Sequence, residues 1–222
     1  MLKRITYPLS PQSPLYPGTP EISRSISKSM GRGDSANTSL LTLPTHAGSH
    51  IDAPLHFCPG GRNTREMLQD RFTLTPVYCI DIPAMSSIAI RIPDLEPYQR
   101  QIADAKGLLI RTGMYRQRSS NPGRYCSDHP WIHPEVPPFL RTACPSLHLF
   151  GTDTISISNP QFRTEGGECH RAFLCHDSPI ILAEDLDLSD PGLPNIVLSL
   201  SIYPWIVDDL DGVPILAFAE IP

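Results

Sequence analysis

The feature that most constrains how this chain can fold is a short segment, residues 45–57, in which two kinds of side chain alternate. The segment reads THAGSHIDAPLHF: from His46 onward the even positions carry polar or special residues, and the odd positions carry mostly small or apolar ones. Successive side chains of an extended backbone point to opposite sides. The alternation therefore predicts an extended segment that buries one side and gathers imidazoles and a carboxylate on the other.

The segment must also bend if its histidines are to act together. A straight strand rises about 3.3 Å per residue, so His46 and His56 would lie roughly 33 Å apart. Gly48 permits unusual backbone dihedral angles and Pro54 favours a turn, so the chain can fold back on itself. A helix would instead place His46 and His50 one turn apart, but the glycine and the proline disfavour a continuing helix, and the HExxH glutamate is missing.

The polar side of the segment has the composition of a metal site. Neutral imidazole and carboxylate are usual ligands of zinc and of neighbouring divalent metals. His50 and Asp52 are the closest pair, two residues apart on one side of the chain. A single histidine is more often a hydrogen-bonded structural residue, but three histidines and an aspartate within eleven residues favour a metal site.

The composition is that of a folded protein and argues against several other classes. A length of 222 residues suits one domain with a sizeable core, and 40% of the residues are hydrophobic. The net charge of −5 leaves no basic footprint for nucleic acid, the N-terminus lacks the apolar region of a signal peptide, and no apolar run is long enough to span a membrane. The six cysteines contain no CxxC pair, so we expect reduced thiols in a cytoplasmic protein.

Strand-like runs outnumber helical ones, which predicts a mixed α/β (α+β) fold rather than a regular doubly wound sheet. The runs rich in Val, Ile, Leu and Tyr are residues 38–43, 77–82, 107–111, 146–150, 195–202 and 213–221. The helical candidates are residues 65–69, 93–105, 134–142 and 168–175, with Asp94 placed to cap the second. Five prolines in residues 8–20 predict an ordered, non-helical arm.

The segment HAGSHIDAPLHF closely resembles the signature H-x-G-T-H-x-D-x-P-x-H-F of the cyclase family of metal-dependent hydrolases, which includes bacterial kynurenine formamidases and isatin hydrolases. Further stretches resemble family landmarks in the same order along residues 5–221: LYPGTP, LLIRTG, FGTDTISI, HRAFL and ILAEDL. The resemblance implies a single compact β/β/α swivelling domain over residues 1–222. It also implies a homodimer or larger homo-oligomer, in which the arm at residues 8–20 is our candidate for reaching the cleft of a partner subunit.

Carried over residue by residue, the resemblance implies two neighbouring metal positions. The first would be held by His46, His50 and Asp52, and Asp52 would bridge to a second that is completed by His170 and Glu184. Histidine and aspartate ligands suit zinc first, with manganese as the alternative, at one or two ions per chain.

The spacing of the last two ligands departs from the family pattern. His170 and Glu184 are fourteen residues apart, two more than is usual in the formamidases. The extra residues fit in a turn at residues 175–179. If they fall elsewhere, His176 is the alternative to His170.

The resemblance also implies that His56 is the general acid/base and that Tyr16 contacts the substrate, at a position where formamidases carry Trp. The expected reaction is hydrolysis of a small-molecule amide, formamide or lactam by metal-activated water, with N-formylkynurenine as the best specific substrate. Tyr16 in place of Trp weakens the case for kynurenine, so another cyclic or N-acyl substrate is the alternative. A non-catalytic metal- or ligand-binding relative is the third hypothesis, and the intact His56 favours an enzyme.

Two further residues have open roles. Asp153, in the stretch Gly-Thr-Asp-Thr, either orients a metal ligand or caps a turn. Cys58 lies two residues from His56, but a thiolate nucleophile needs a base held beside it, so a cysteine mechanism is disfavoured.

Overall fold

A mixed sheet of nine strands forms the centre of the computed structural model, which describes residues 1–68, 72–193 and 199–221. The strands of the described residues are β1 (Leu2–Arg4), β2 (Ser23–Lys28), β3 (Thr38–Thr42), β4 (His50–Asp52), β5 (Phe72–Leu74), β6 (Val77–Asp81), β7 (Ala89–Ile90), β8 (Gly107–Arg111), β9 (Trp131–Ile132), β10 (Leu149–Thr152), β11 (Ile181–Glu184), β12 (Ser199–Pro204) and β13 (Gly212–Glu220). The α-helices are α1 (Thr64–Leu68), α2 (Ile92–Leu95), α3 (Tyr115–Ser120), α4 (Pro122–Ser127), α5 (Val136–Ala143) and α6 (Arg163–Leu174). Short 3₁₀ helices span Met30–Arg32, Pro54–His56 and Glu96–Tyr98.

The main sheet runs in the order β5-β12-β13-β4-β11-β10-β8-β6, and β1 pairs with the end of β13. The strands β6, β8, β10 and β11 are parallel to one another, whereas β4, β5, β12 and β13 pair antiparallel with their neighbours. The two edge strands, β5 and β6, are consecutive in the chain and are joined by Thr75 and Pro76. The sheet therefore curls until its two edges nearly meet. Outside it, β2 and β3 form a hairpin, and β7 pairs with β9.

The two faces of the sheet bury separate apolar clusters, because successive side chains of a strand point to opposite sides. Ile51 of β4 and Ala183 of β11 belong to one cluster. Leu182 of β11 belongs to the other, together with Phe150 of β10 and Phe173 of α6. All three residues of β4 are buried, so the central strand of the sheet is covered on both faces.

Helices α5 and α6 pack together and help to cover the second face. Buried residues recur three or four positions apart in α5, at Val136, Leu140 and Ala143, which is the spacing of one helical face. Pro137 lies in the first turn of α5, where its missing N–H would have no helical partner. None of the helices in the described part of the chain is long and apolar enough to cross a membrane.

The mixed α+β class predicted from the sequence is confirmed. The run at 107–111 coincides with β8, and the runs at 77–82 and 213–221 match β6 and β13 to within one residue. Residues 8–20 contain no helix or strand, as their prolines predict. Residues 195–198 of one predicted strand, and residue 69 of one predicted helix, lie outside the described residues.

The predicted helix at residues 93–105 is wrong. The chain forms α2 and the 3₁₀ helix Glu96–Tyr98, followed by turns. A proline inside a helix removes one hydrogen bond and clashes with the carbonyl four residues earlier, and Pro97 lies four residues after Pro93. The predicted cap is also wrong, because Asp94 occupies the third position of α2, where its carboxylate accepts a hydrogen bond of 2.8 Å from the Arg91 backbone N–H.

The expectation that every cysteine is a reduced thiol is wrong for one pair. Cys58 and Cys175 form a disulfide with their Cα atoms 5.5 Å apart. Cys58 lies two residues after the 3₁₀ helix Pro54–His56, and Cys175 directly follows the last residue of α6. The cysteine pattern therefore no longer supports a reducing, cytoplasmic location.

We expect a thiol titration of the unfolded chain to detect this disulfide. Cys79, Cys126, Cys144 and Cys169 are free, so four thiols should react before reduction and all six cysteines after it. A Cys58→Ser variant, which frees Cys175, is the matched control and should show five thiols without reduction. Six reactive thiols in unreduced wild-type protein, trapped with N-ethylmaleimide at lysis, would contradict the pairing.

Candidate metal centre and its cavity

The pairing of β4 with β11 brings three predicted ligands to one face of the sheet. His50 lies directly opposite Glu184 in the antiparallel register, and Asp52 lies two residues along on the same side. The His50 Nε2 atom is 3.4 Å from Asp52 Oδ1 and 3.4 Å from Glu184 Oε2. His50 Nδ1 donates a hydrogen bond of 2.8 Å to the Gly48 carbonyl, which leaves Nε2 as the ligating nitrogen of the neutral ring.

Helix α6 positions a second imidazole, that of His170, beside the carboxylates of Asp52 and Glu184. The His170 Nε2 atom is 3.6 Å from Asp52 Oδ2 and 3.6 Å from Glu184 Oε1. Its Nδ1 donates a hydrogen bond of 2.7 Å to the Gly166 carbonyl one turn earlier, and the Phe57 ring stacks on the imidazole with centroids 4.4 Å apart. His170 is therefore fixed in orientation with Nε2 facing both carboxylates.

The bend that the sequence requires is present. Gly48 adopts a left-handed conformation with φ +63°, and the 3₁₀ helix Pro54–His56 turns the chain back after β4. The rings of His46 and His56 consequently lie with their centroids 4.0 Å apart. All three histidines of the segment face one space.

Asp211, which sequence reasoning missed, holds two of these histidines. One of its carboxylate oxygens accepts hydrogen bonds from His46 Nε2 and His56 Nδ1, each at 2.9 Å. The other ring nitrogen of His46 lies 2.8 Å from Asp52 Oδ1. The Asp211 carbonyl also accepts a hydrogen bond from the Ala53 backbone N–H, which fastens this residue beside the end of β4. In the sequence, the dipeptide Asp211-Gly212 looks like an ordinary turn before a strand. Only the tertiary structure shows that Asp211 contacts the histidines of the site.

The distances among these atoms fit a bound metal ion. Two ligands that each lie about 2.1 Å from a tetrahedrally coordinated ion are about 3.4 Å apart. The contacts of His50 and His170 with the two carboxylates span 3.4–3.6 Å, which is longer than an ordinary N–H···O hydrogen bond. A metal-sized group therefore fits between His50, Asp52 and Glu184, whose ligand atoms all lie within 4.8 Å of one another.

The charges of the site also call for a cation. Asp52 and Glu184 are buried, and burial alone would raise the pKa of each carboxyl. The surrounding histidines outweigh burial and hold both pKa values below their ordinary range. Against the effect of burial, Asp52 and Asp211 raise the pKa of His46 to about 9. Protons on the imidazoles thus supply positive charge that a divalent metal would replace on binding.

Glu184, a candidate ligand, and the neighbouring Asp153 have different roles. Glu184 Oε1 accepts hydrogen bonds from Ser156 Oγ at 3.0 Å and from the Ile157 backbone N–H at 2.8 Å, which orient this carboxylate. Asp153 instead accepts hydrogen bonds from the Thr112 and Gly113 backbone N–H groups, at 2.8 and 2.9 Å. Of the two roles left open for Asp153, the contacts support turn capping.

The structure places His170, and not His176, at the site. α6 ends at Leu174 and β11 begins at Ile181, so the extra residues of this chain fall in the connection between them. His176 is exposed in that connection, and its Nδ1 accepts a hydrogen bond from the Ser178 backbone N–H at 3.1 Å.

Four of the five candidate ligands form the floor of a cavity of about 520 Å³. His46, His50, His56, His170 and Glu184 all line it. Its walls carry apolar and aromatic side chains, namely Tyr16, Pro20, Pro44, Phe57 and Ile155. Tyr16 is half-buried with its hydroxyl 3.5 Å from Ser158 Oγ, so the proline-rich arm folds over the cavity of its own chain.

Gly212 is the residue whose substitution should most specifically disturb this geometry. A Cβ atom there would lie 2.3 Å from His46 Cε1, so Gly212→Ala forces the imidazole aside. We expect affinity for zinc to fall about tenfold or more, measured by competition with a chromophoric chelator.

Gly123→Ala in α4 is the matched control, since its Cβ would meet only Asn121 Oδ1, at 3.8 Å. Both variants should keep the wild-type far-UV circular dichroism spectrum. Equal zinc affinity in Gly212→Ala and wild type would show that His46 does not need this glycine.

Solved structures share the fold over nearly the whole chain. An isatin hydrolase A from Labrenzia aggregata, bound to benzyl benzoate, aligns with a TM-score of 0.79 over 99% of this chain and 93% of the other, at 19% identity. A structure described as a potential metal-dependent hydrolase with cyclase activity aligns with a TM-score of 0.72 over 99% of this chain and 96% of the other, at 20% identity.

Sequence comparisons agree with the fold. A kynurenine formamidase of Erythrobacter litoralis is 30% identical over 220 residues, which are 98% of this chain and 93% of that protein. A kynurenine formamidase of Bacillus cytotoxicus is 27% identical over 213 residues, 96% of this chain and 94% of that protein. The model of the putative cyclase family matches residues 4–159, which include the whole segment from His46 to His56. The chain therefore belongs to the putative cyclase family.

Proposed function

We propose that this protein hydrolyses an aryl formamide of the N-formylkynurenine type. The broader class is established: the protein is a metal-dependent hydrolase that acts on amide C–N bonds. The observation that carries the narrower proposal is the cavity itself, in which histidines and buried carboxylates form the floor and aromatic side chains form the walls. Tyr16 and Phe57 both line the cavity, and we propose that they contact the aromatic ring of the substrate while its formamide faces the floor.

We propose zinc as the metal, with manganese as the alternative, because imidazole and carboxylate ligands suit both ions. The family resemblance groups His50 with His46 and Asp52, but the contacts favour a different division: His50, Asp52, His170 and Glu184 would hold one ion, and His46 with Asp52 would contribute to a neighbouring one. When bound, the metal supplies Lewis-acid chemistry, which acidifies water and polarises the amide carbonyl.

His56 would move the proton. Asp211 accepts a hydrogen bond from His56 Nδ1, and no described residue hydrogen bonds to its Nε2. Nε2 is thus available to take a proton from the attacking water and to return it to the leaving nitrogen. The Asp211 carboxylate stabilises the imidazolium that exists between the two transfers.

We also propose that the protein forms a homodimer or larger homo-oligomer. Every residue of β2 and β3 is exposed. The strands and the 3₁₀ helix between them carry four apolar side chains with exposed fractions of 46–62%, namely Ile26, Met30, Leu40 and Leu41. In the register of the hairpin, Ile26 and Leu41 lie on one face and Leu40 lies on the other, so both faces expose apolar side chains, as is typical of protein–protein contacts. A second copy of this chain is the partner that the family resemblance favours.

Metal removal is the first test of the proposed function. Purified protein should contain one to two divalent ions per chain by inductively coupled plasma mass spectrometry, and it should hydrolyse N-formylkynurenine. Dialysis against a chelator should abolish turnover, and added zinc or manganese should restore it.

If the metal-loaded protein hydrolyses isatin or another cyclic or N-acyl compound but not N-formylkynurenine, the alternative substrate class replaces the proposed one. Absence of metal after reconstitution would overturn the site itself.

The His56→Ala variant tests the acid/base. Turnover should fall by at least about 10²-fold, the contribution typical of a positioned proton-transfer group, while the metal content stays at the wild-type value. His148→Ala, which replaces an exposed histidine outside the cavity, is the matched control and should keep full activity. An active, metal-loaded His56→Ala protein would exclude this role.

A further inference from the structure

The rim of the cavity carries a cation that the proposed mechanism does not use. Arg163 is the first residue of α6, is exposed, and lines the cavity. Within residues 1–68, 72–193 and 199–221 no side chain or carbonyl forms a hydrogen bond or ion pair with its guanidinium. An arginine that lines a binding cavity with no protein partner has its donors available to a ligand.

Arg163 is aligned with the metal centre by the geometry of α6. Arg163, Gly167 and His170 are separated by four and three residues, so they lie on one face of the helix, and all three line the cavity. At 1.5 Å per residue, Arg163 and His170 are about 10 Å apart along the helix axis. Gly167 lies between them and has no side chain, and a Cβ atom there would be 3.4 Å from Arg171 Nη1 and 3.8 Å from Phe57 Cε1, which is ordinary van der Waals contact.

The rim around Arg163 is suited to an anion. Among the cavity-lining residues of the described chain, Glu184 is the only acidic one, and it is buried at the floor. Phe162, which precedes α6, provides no side-chain hydrogen bond to the helix, and Glu165 in the first turn, which does not line the cavity, offsets part of the positive end of the helix dipole. Tyr16 and Arg163 both line the cavity, and burial raises the pKa of the Tyr16 hydroxyl while the Arg163 charge acts in the opposite direction.

We propose that Arg163 binds a carboxylate of the substrate, so that the enzyme selects amides bearing a negative charge at the end remote from the scissile bond. This inference rests on the proposed function, since it names the charged group that the substrate of that same site carries. A guanidinium binds a carboxylate through two parallel N–H···O bonds, which fixes direction as well as charge. With its carboxylate at Arg163 and its ring against Tyr16, the substrate presents its amide to the floor.

The experiment compares two substrates that differ only in this charge, N-formylkynurenine and its methyl ester. Wild type should favour the acid by about tenfold or more in kcat/KM, the effect of one charge-assisted hydrogen-bonded pair. Arg163→Ala should remove that preference through KM for the acid, and leave the ester unaffected. Arg163→Glu should make the ester the better substrate.

The matched control is Arg100→Ala, which replaces an exposed arginine that does not line the cavity. It should keep the wild-type preference. All variants should unfold at the wild-type temperature, because both arginines are exposed. Unchanged kcat/KM for the acid in Arg163→Ala would overturn the proposal.

A binding measurement separates this inference from the proposed function. Isothermal titration calorimetry of metal-loaded protein with kynurenine should show tighter binding than with kynurenine methyl ester, and Arg163→Ala should abolish the difference. If wild type hydrolyses neither substrate but binds the acid in an Arg163-dependent way, the formamidase assignment fails and the carboxylate site stands. Equal affinities of wild type for the acid and the ester would overturn the carboxylate site.

Discussion

Two carboxylates, Asp52 and Glu184, are buried side by side between β4, β11 and α6. Because two negative charges at this short distance repel each other, they require positive charges and hydrogen-bond donors around them. The histidines of β4 and α6 supply these from within the site, and Ser156 with the Ile157 backbone N–H orients Glu184 from behind. An uncompensated buried charge is strongly unfavourable, so the surrounding fold is organised to keep these partners in place. The apolar side of β4, at Ile51, anchors the same strand in the opposite cluster.

A second layer of buried charge stabilises the end of β11. Asp185, next to Glu184, accepts two hydrogen bonds of 2.7 Å from Arg118 and another from the Tyr125 hydroxyl. The Arg118 guanidinium in turn lies 3.8 Å from the centroid of the Tyr7 ring. These contacts of Asp185 join α3, α4 and the N-terminal segment to the strand that carries Glu184, a candidate metal ligand, so the position of Glu184 depends on elements far apart in the chain.

The part of the site that could be predicted from sequence is the part encoded by short-range pattern. Period-two alternation predicted the extended run at His50 and Asp52, and Gly48 and Pro54 predicted its bend. His170 and Glu184 came only from family resemblance, because neither has a local partner in the sequence. Asp211 lies 155 residues from His56 and resembles a turn residue, so no local signal could identify it. The helix predicted at residues 93–105 is absent because Pro97 prevents a continuous helix there.

The disulfide between Cys58 and Cys175 closes a covalent ring across 117 residues of the chain. The ring contains α6 and His170, whereas His46, His50, Asp52 and Glu184 lie on the two tails that leave it. A protease that cuts once between residues 59 and 174 therefore opens the ring without releasing a fragment. All five candidate ligands stay on one covalent molecule, so the catalytic machinery can survive a nick that would split the same chain in its reduced form.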